Sequence, residues 1–154
     1  MLLTKTSELA ILSLLILAQK PAGYLINPGE LATRLGESEA YISKVMRLLA
    51  QGGLVRSRRG MGGGFEMLRD AGDISLLDIV EISQGTIPGN YCGRSSGCEI
   101  RETCGYHQAM YDLRDSTRQA LGRWTLARML ASPRAKGVVP GCMMRRVRLT
   151  GSKP

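Results

Sequence analysis

Residues 9 to 18, Leu-Ala-Ile-Leu-Ser-Leu-Leu-Ile-Leu-Ala, are apolar at nearly every position. Wound as a helix, such a run has no polar face, so it predicts a helix from Thr4 to Gln19 buried on more than one side. It falls short of the about 20 apolar residues that a membrane span needs. Glu8 precedes it and no small-residue cleavage site follows promptly, which argues against a secretory leader. Pro21 and Gly23 end this first helix.

The pattern then changes to short amphipathic pieces. Asn27-Pro28-Gly29-Glu30 supplies a cap, a proline at the first helical position and a glutamate three residues after the cap, so a capping box and a helix from Pro28 to Leu35 are expected. After Gly36, Ser38 caps a helix to Gln51 whose apolar positions Ile42, Val45, Met46, Leu48 and Leu49 have helical spacing. Leu54 to Arg59 and Phe65 to Leu68 read as strands of a hairpin with the glycine-rich tip Gly60-Met-Gly-Gly-Gly64. Ser75 opens a helix to about Ser83, ended by Gly85. Residues 85 to 106 have no clear period. His107 to Leu121 has the apolar stripe Met110, Leu113, Thr117, Ala120 and Leu121, and a short helix from Thr125 to Ala131 follows. The fold class is mainly α with a small β-hairpin.

The order of these elements carries the first functional expectation. In the helix, turn, helix from Pro28 to Gln51, Ala32 permits close crossing, Gly36 the tight turn, and Ile42 locks the second helix. A hairpin with a basic arm follows directly, which is the order of a winged helix-turn-helix: second helix in the major groove of duplex DNA, wing on the flanking backbone or minor groove. The glycines of the tip are not a nucleotide-phosphate loop, since no Lys-Ser or Lys-Thr follows and the loop leads into a strand. Candidate base readers are Ser38, Glu39, Ala40, Tyr41 and Ser43; Lys44 and Arg47 are placed for phosphates. Arg59, at the wing tip, suits a narrow minor groove.

Charge refines this picture. The chain of 154 residues has a net charge of +8, but residues 134 to 154 hold six basic residues and no acid. Residues 132 to 154 are therefore expected to be a solvated basic tail that adds non-specific attraction to polyanions. The more telling patch runs from Lys44 to Arg59, with five basic residues and no acid.

Candidate chemistry lies in the aperiodic segment. Three of the four cysteines, Cys92, Cys98 and Cys104, and the only histidine, His107, fall within sixteen residues. Thiolates select zinc, copper(I) or iron-sulfur clusters, and imidazole is compatible with each. Zinc sites usually pair cysteines two to four residues apart. Gaps of five residues between these cysteines suit a larger inorganic group and favour a cluster, with zinc kept open. Cys142 stands apart and reads as a free thiol. The cytoplasm is the default compartment, where cysteines are ligands or free thiols. No acid-base pair or nucleophile with a partner is evident, so no catalytic residue is expected and the chain does not read as an enzyme.

The wing Arg59-Gly60-Met61-Gly62-Gly63-Gly64-Phe65 together with the three-cysteine segment resembles the iron-sulfur winged-helix regulators typified by the bacterial proteins IscR, NsrR and RirA, over about residues 1 to 131. Within that family, His107 after Cys104 looks like the IscR branch, which implies a 2Fe-2S cluster on Cys92, Cys98, Cys104 and His107. Glu8 matches the acidic position that completes a 4Fe-4S cluster in NsrR-like members, so it stands as the alternative fourth ligand. The resemblance also implies a homodimer built on the helix from His107 to Leu121 and a palindromic operator. It divides the chain into a DNA-binding unit (1–84), a cluster loop (85–106), a dimerisation helix with a short C-terminal helix (107–131) and the tail (132–154). The function implied is transcriptional regulation, as a repressor, with operator affinity set by a cluster that senses iron-sulfur status, redox state or nitric oxide. The alternative is a zinc- or thiol-based redox-sensing repressor without a cluster.

Overall fold

A computed structural model of the chain describes residues 3–87 and 104–131. The first helix, α1 (Lys5–Ala18), is the centre of the molecule. Thr4 caps it by accepting from the Ser7 amide, and nine of its residues are buried. A 14-residue helix is marginal alone in water; what holds it is packing, with Leu9, Leu14 and Leu17 buried to 2% or less, each worth about 1.5–3 kcal/mol. Around it lie α2 (Pro28–Leu35), α3 (Glu39–Gln51), α4 (Leu76–Gln84) and α6 (Leu126–Ala131). Among the described residues no helix is long and apolar enough to cross a membrane.

The turn between α2 and α3 is the one the sequence predicts. Gly36 takes the left-handed conformation at φ 69° and closes α2 on the Ala32 carbonyl. Ala32 and Ile42 are both buried in the crossing, and Ser38 caps α3 through the Tyr41 amide. The expected capping box at Asn27 does not form. Asn27 accepts from the Gly29 amide, while Glu30 pairs with Arg34 at 2.9 Å and with Lys20 at 3.7 Å. Two cations and the turn geometry draw the carboxylate away from the cap. The complete box is at α4, where Ser75 and Asp78 bond reciprocally.

The wing is an antiparallel pair, β1 (Val55–Arg58) and β2 (Gly64–Met67), with Arg56 opposite Glu66 and Arg58 opposite Gly64. Ile26 adds a one-residue third strand, exchanging two 2.9 Å backbone hydrogen bonds with Phe65. Here β2 passes so near that a Cβ on Gly64 would lie 2.5 Å from the Ile26 carbonyl oxygen. Only glycine fits.

The long helix α5 (Gly105–Gly122) begins two residues before the expected start, with Cys104 as its N-cap. It rests on α4, where Arg118 pairs with Glu81. Beyond it the chain is clipped back by backbone bonds from Leu76 to Trp124 and from Leu126 to Ile74. Of its 18 residues only His107 and Leu121 are buried. Of the expected apolar stripe only Leu121 is covered; Met110 and Thr117 are half-buried, Ala120 is exposed, and Leu113 is 54% exposed.

Candidate nucleic-acid interface and metal centre

The residues of α3 divide cleanly by helical spacing. Ile42, Val45, Met46 and Leu49 face the core. Ala40, Lys44 and Arg47 are exposed, with Ser43 half-buried between them. These four positions repeat at i, i+3, i+4 and i+7, so they share one face. Ser38 and Glu39 are exposed at its start. Glu39 leans towards α2, where its carboxylate lies 3.3 Å from where a Gly29 Cβ would be. Tyr41 is half-buried, and its hydroxyl is hydrogen-bonded to Thr6 at 3.0 Å. Its ring therefore braces α3 against α1, and Ser38 is engaged as the cap. The freest of the expected contacts are Ala40, Lys44 and Arg47.

Arg59 is exposed at the wing tip near the fully exposed Met61. The arm behind it holds an arrangement the residue pattern did not disclose. Glu66 is 3% exposed, and its Oε1 accepts from Nε of both Arg56 and Arg58 at 2.9 Å. Burial acts to raise the Glu66 carboxyl, but the two guanidinium hydrogen bonds and charges outweigh it and hold it below its ordinary value. The alternating Arg56-Ser57-Arg58 was visible as a period of two, yet its acidic partner depends on cross-strand register.

Of the expected metal ligands, Cys92 and Cys98 lie outside the described residues, as does Cys142. Cys104 and His107 are brought together on the first turn of α5, at i and i+3. Cys104 is half-buried and makes no side-chain hydrogen bond to the helix start. His107 is 2% exposed, and its Nδ1 has no hydrogen-bond partner among the described residues. An orphaned buried nitrogen is uncommon and costs about 1–3 kcal/mol; a metal bond would satisfy it. Glu8 is exposed on the first turn of α1. No group of three or more metal-ligating side chains occurs among the described residues.

A second cluster ties these parts together. Gln84 Oε1, at the end of α4, accepts from the Thr4 amide at 2.9 Å and the Ser7 hydroxyl at 2.6 Å. Ser83 donates to Ser7. One residue away Thr6 holds Tyr41, and Lys5 pairs with Glu37 before α3 at 2.9 Å. The start of α1 thus bonds both the root of the cysteine segment and the start of α3.

Comparison with known proteins agrees with this anatomy. The HTH-type transcriptional regulator IscR of Cronobacter sakazakii is 27% identical over 130 residues, which cover 84% of this chain and 80% of that protein. CymR, the global cysteine regulator of B. subtilis, superposes with a TM-score of 0.66 at 21% identity, covering 82% of this chain and 94% of that one. IscR of T. potens gives 0.63 at 24% identity, with coverage of 83% and 85%. The structural likenesses speak for the fold, the winged helix-turn-helix expected from the element order. The profile of the Rrf2 family, described as iron-dependent transcriptional regulators, matches residues 3–132. The helix-turn-helix, the wing and the helix capped by Cys104 all fall inside that match, and the chain belongs to the Rrf2 family of transcriptional regulators.

Proposed function

We propose that this regulator is a homodimer that binds a palindromic DNA operator, and that an iron-sulfur cluster on Cys92, Cys98, Cys104 and His107 sets its affinity. The observation that carries the cluster is His107, a buried imidazole whose Nδ1 has no partner among the described residues, three residues from a cysteine. The histidine is favoured over the exposed Glu8 as fourth ligand, and with it a 2Fe-2S cluster over 4Fe-4S. Cys104 stands at the positive end of α5, which favours an anionic ligand set. When bound, the cluster supplies a redox-active and chemically labile centre, open to loss, oxidation or nitrosylation.

The exposed face of α3, with Ala40, Ser43, Lys44 and Arg47, enters the major groove, and Arg59 reaches the flanking minor groove. The open stripe of α5 supports dimerisation: a helix about 27 Å long with two buried residues has a face left to cover. A two-fold axis through it presents two copies of α3 to the half-sites of a palindrome. On this reading residues 1–84 bind DNA, 85–106 hold the cluster and 107–131 dimerise. A change of conformation in the cysteine segment acts at one end on Cys104 and α5, and at the other on Gln84. From Gln84 the bonds through Thr4, Ser7 and Thr6 lead to Tyr41. Both routes alter the placement of α3, and repression follows the state that fits the operator spacing.

The test is iron, zinc and acid-labile sulfide in protein purified without oxygen, for the natural chain and for His107→Ala. Iron and sulfide in equal amounts, about two of each per chain, with loss in the variant, are expected. Zinc, or no metal, would replace the cluster by a thiol- or zinc-based switch.

A further inference from the structure

Glu66 is an acid in an arm whose other charges are basic, and its placement has a use. β1 and β2 put it opposite Arg56, with Arg58 two residues along the same face. The Glu66 side chain is underneath, at 4% exposure, and the two arginine side chains lie over it at 56% and 57%. Each arginine spends only its Nε–H on Oε1. The terminal nitrogens of both have no partner among the described residues, and each guanidinium has four N–H donors left.

A wing braced for stability alone needs one arginine to neutralise one carboxylate. Two leave an excess positive charge and a like-charged pair side by side, which is unfavourable until an anion joins them. An arginine fixed at its Nε edge, with its terminal edge facing outward, is pre-organised for an oxyanion, because less rotamer freedom is lost on binding. Beside them stands Arg59, and the neighbouring tip carries no acid.

We propose that Arg56 and Arg58 form a paired clamp for the backbone phosphates of DNA, and that Glu66 is the positioning residue that holds both guanidinium groups in place. The inference rests on the DNA-binding reading above and adds three residues to it. Phosphate contacts fix register and add affinity without reading sequence, so the clamp strengthens every operator equally.

The experiment uses the full chain and two duplexes of equal length, one selected by the protein from a random pool and one of unrelated sequence. Affinity is measured across a series of salt concentrations for the natural chain, Arg56→Ala, Arg58→Ala, Glu66→Ala and Glu66→Gln. Each arginine variant is expected to lower the slope of log affinity against log salt by about 0.9, so that its deficit shrinks about threefold between about 50 and about 200 mM. The loss should be the same factor on both duplexes. Glu66→Ala is expected to weaken binding although it adds a positive charge, and Glu66→Gln, whose amide oxygen still accepts from Nε, to recover most of it. Thermal melts confirm that the variants are folded. Unchanged slopes in both arginine variants overturn the clamp, and tighter binding by folded Glu66→Ala overturns the positioning role. If the natural chain binds neither duplex, the DNA reading and the clamp fall together; if it binds and the arginine variants match it, the clamp alone fails.

Discussion

Gly64→Ala tests how the wing is attached to the body. The added Cβ would lie 2.5 Å from the Ile26 carbonyl oxygen and 2.9 Å from its carbon, where ordinary contact begins at 3.4 Å. Both obstacles are backbone, so no side chain can swing aside, and the strands must separate by roughly 1 Å. The two 2.9 Å bonds between Ile26 and Phe65 then stretch beyond useful length. Losing both costs about 1–3 kcal/mol. Partial exposure of Ile26 and Phe65, now 0% and 7% exposed, adds about 1 kcal/mol. The total, about 2–4 kcal/mol, is below the about 5–15 kcal/mol of a typical domain, so the variant should fold with a loosened wing. Urea denaturation measures the loss, with Gly72→Ala as the control: that glycine has open space around it and no positive φ, and its change should stay within about 0.5 kcal/mol. Equal stability of the two variants would refute the anchoring role of the Ile26 bridge.

Three other outcomes are expected. Ser13, wholly buried in α1, has a hydroxyl with no partner among the described residues; Ser13→Ala should raise stability by about 1 kcal/mol, and a destabilised variant would mean the hydroxyl has a partner in the native assembly. Glu66, held below its ordinary value of 4.5, contributes stability above that pH and loses it as pH falls through the lower folded value. The stability gap between natural chain and Glu66→Gln should therefore be constant at neutral pH and close in the acid range; a gap that persists in acid contradicts the ion-pair account. Leu113→Glu places a charge on the open face of α5 and should convert a sedimenting dimer to monomer with little change in helix content, whereas a variant that stays dimeric would move the interface elsewhere.

What the residue pattern disclosed, and what it hid, follows from the range of each interaction. The buried and exposed faces of α3 were legible because Ile42, Val45, Met46 and Leu49 repeat at helical spacing while Ser43, Lys44 and Arg47 between them are polar; Leu48, expected with the apolar set, is only half-buried. The Gly36 turn and the glycine-rich tip were legible because few other residues tolerate such turns. Ile26 was not: a strand of one residue has no period, and its partner is 39 positions away. The capping box expected at Asn27 failed because Lys20 and Arg34 compete for Glu30, and Lys20 lies outside that helix. The bond from Tyr41 to Thr6 was not legible either, because the two residues lie 35 positions apart. His107 was singled out for its chemistry, while its burial at the start of a mostly exposed helix emerged only from the packing of α5. The start of that helix was set late because Cys104 is not a usual cap residue.

The central claim is that the state of the cysteine and histidine centre governs DNA affinity. The most direct measurement is the affinity of the full-length protein, without oxygen, for a duplex it has selected itself, first with its native metal content and then after removal of that metal. A coupling of about 1–3 kcal/mol, or about 5- to 150-fold in affinity, is predicted between the two forms. Equal affinities in protein shown to contain iron and sulfide before treatment and neither after it would contradict the account, and leave a DNA-binding protein whose cluster serves another purpose.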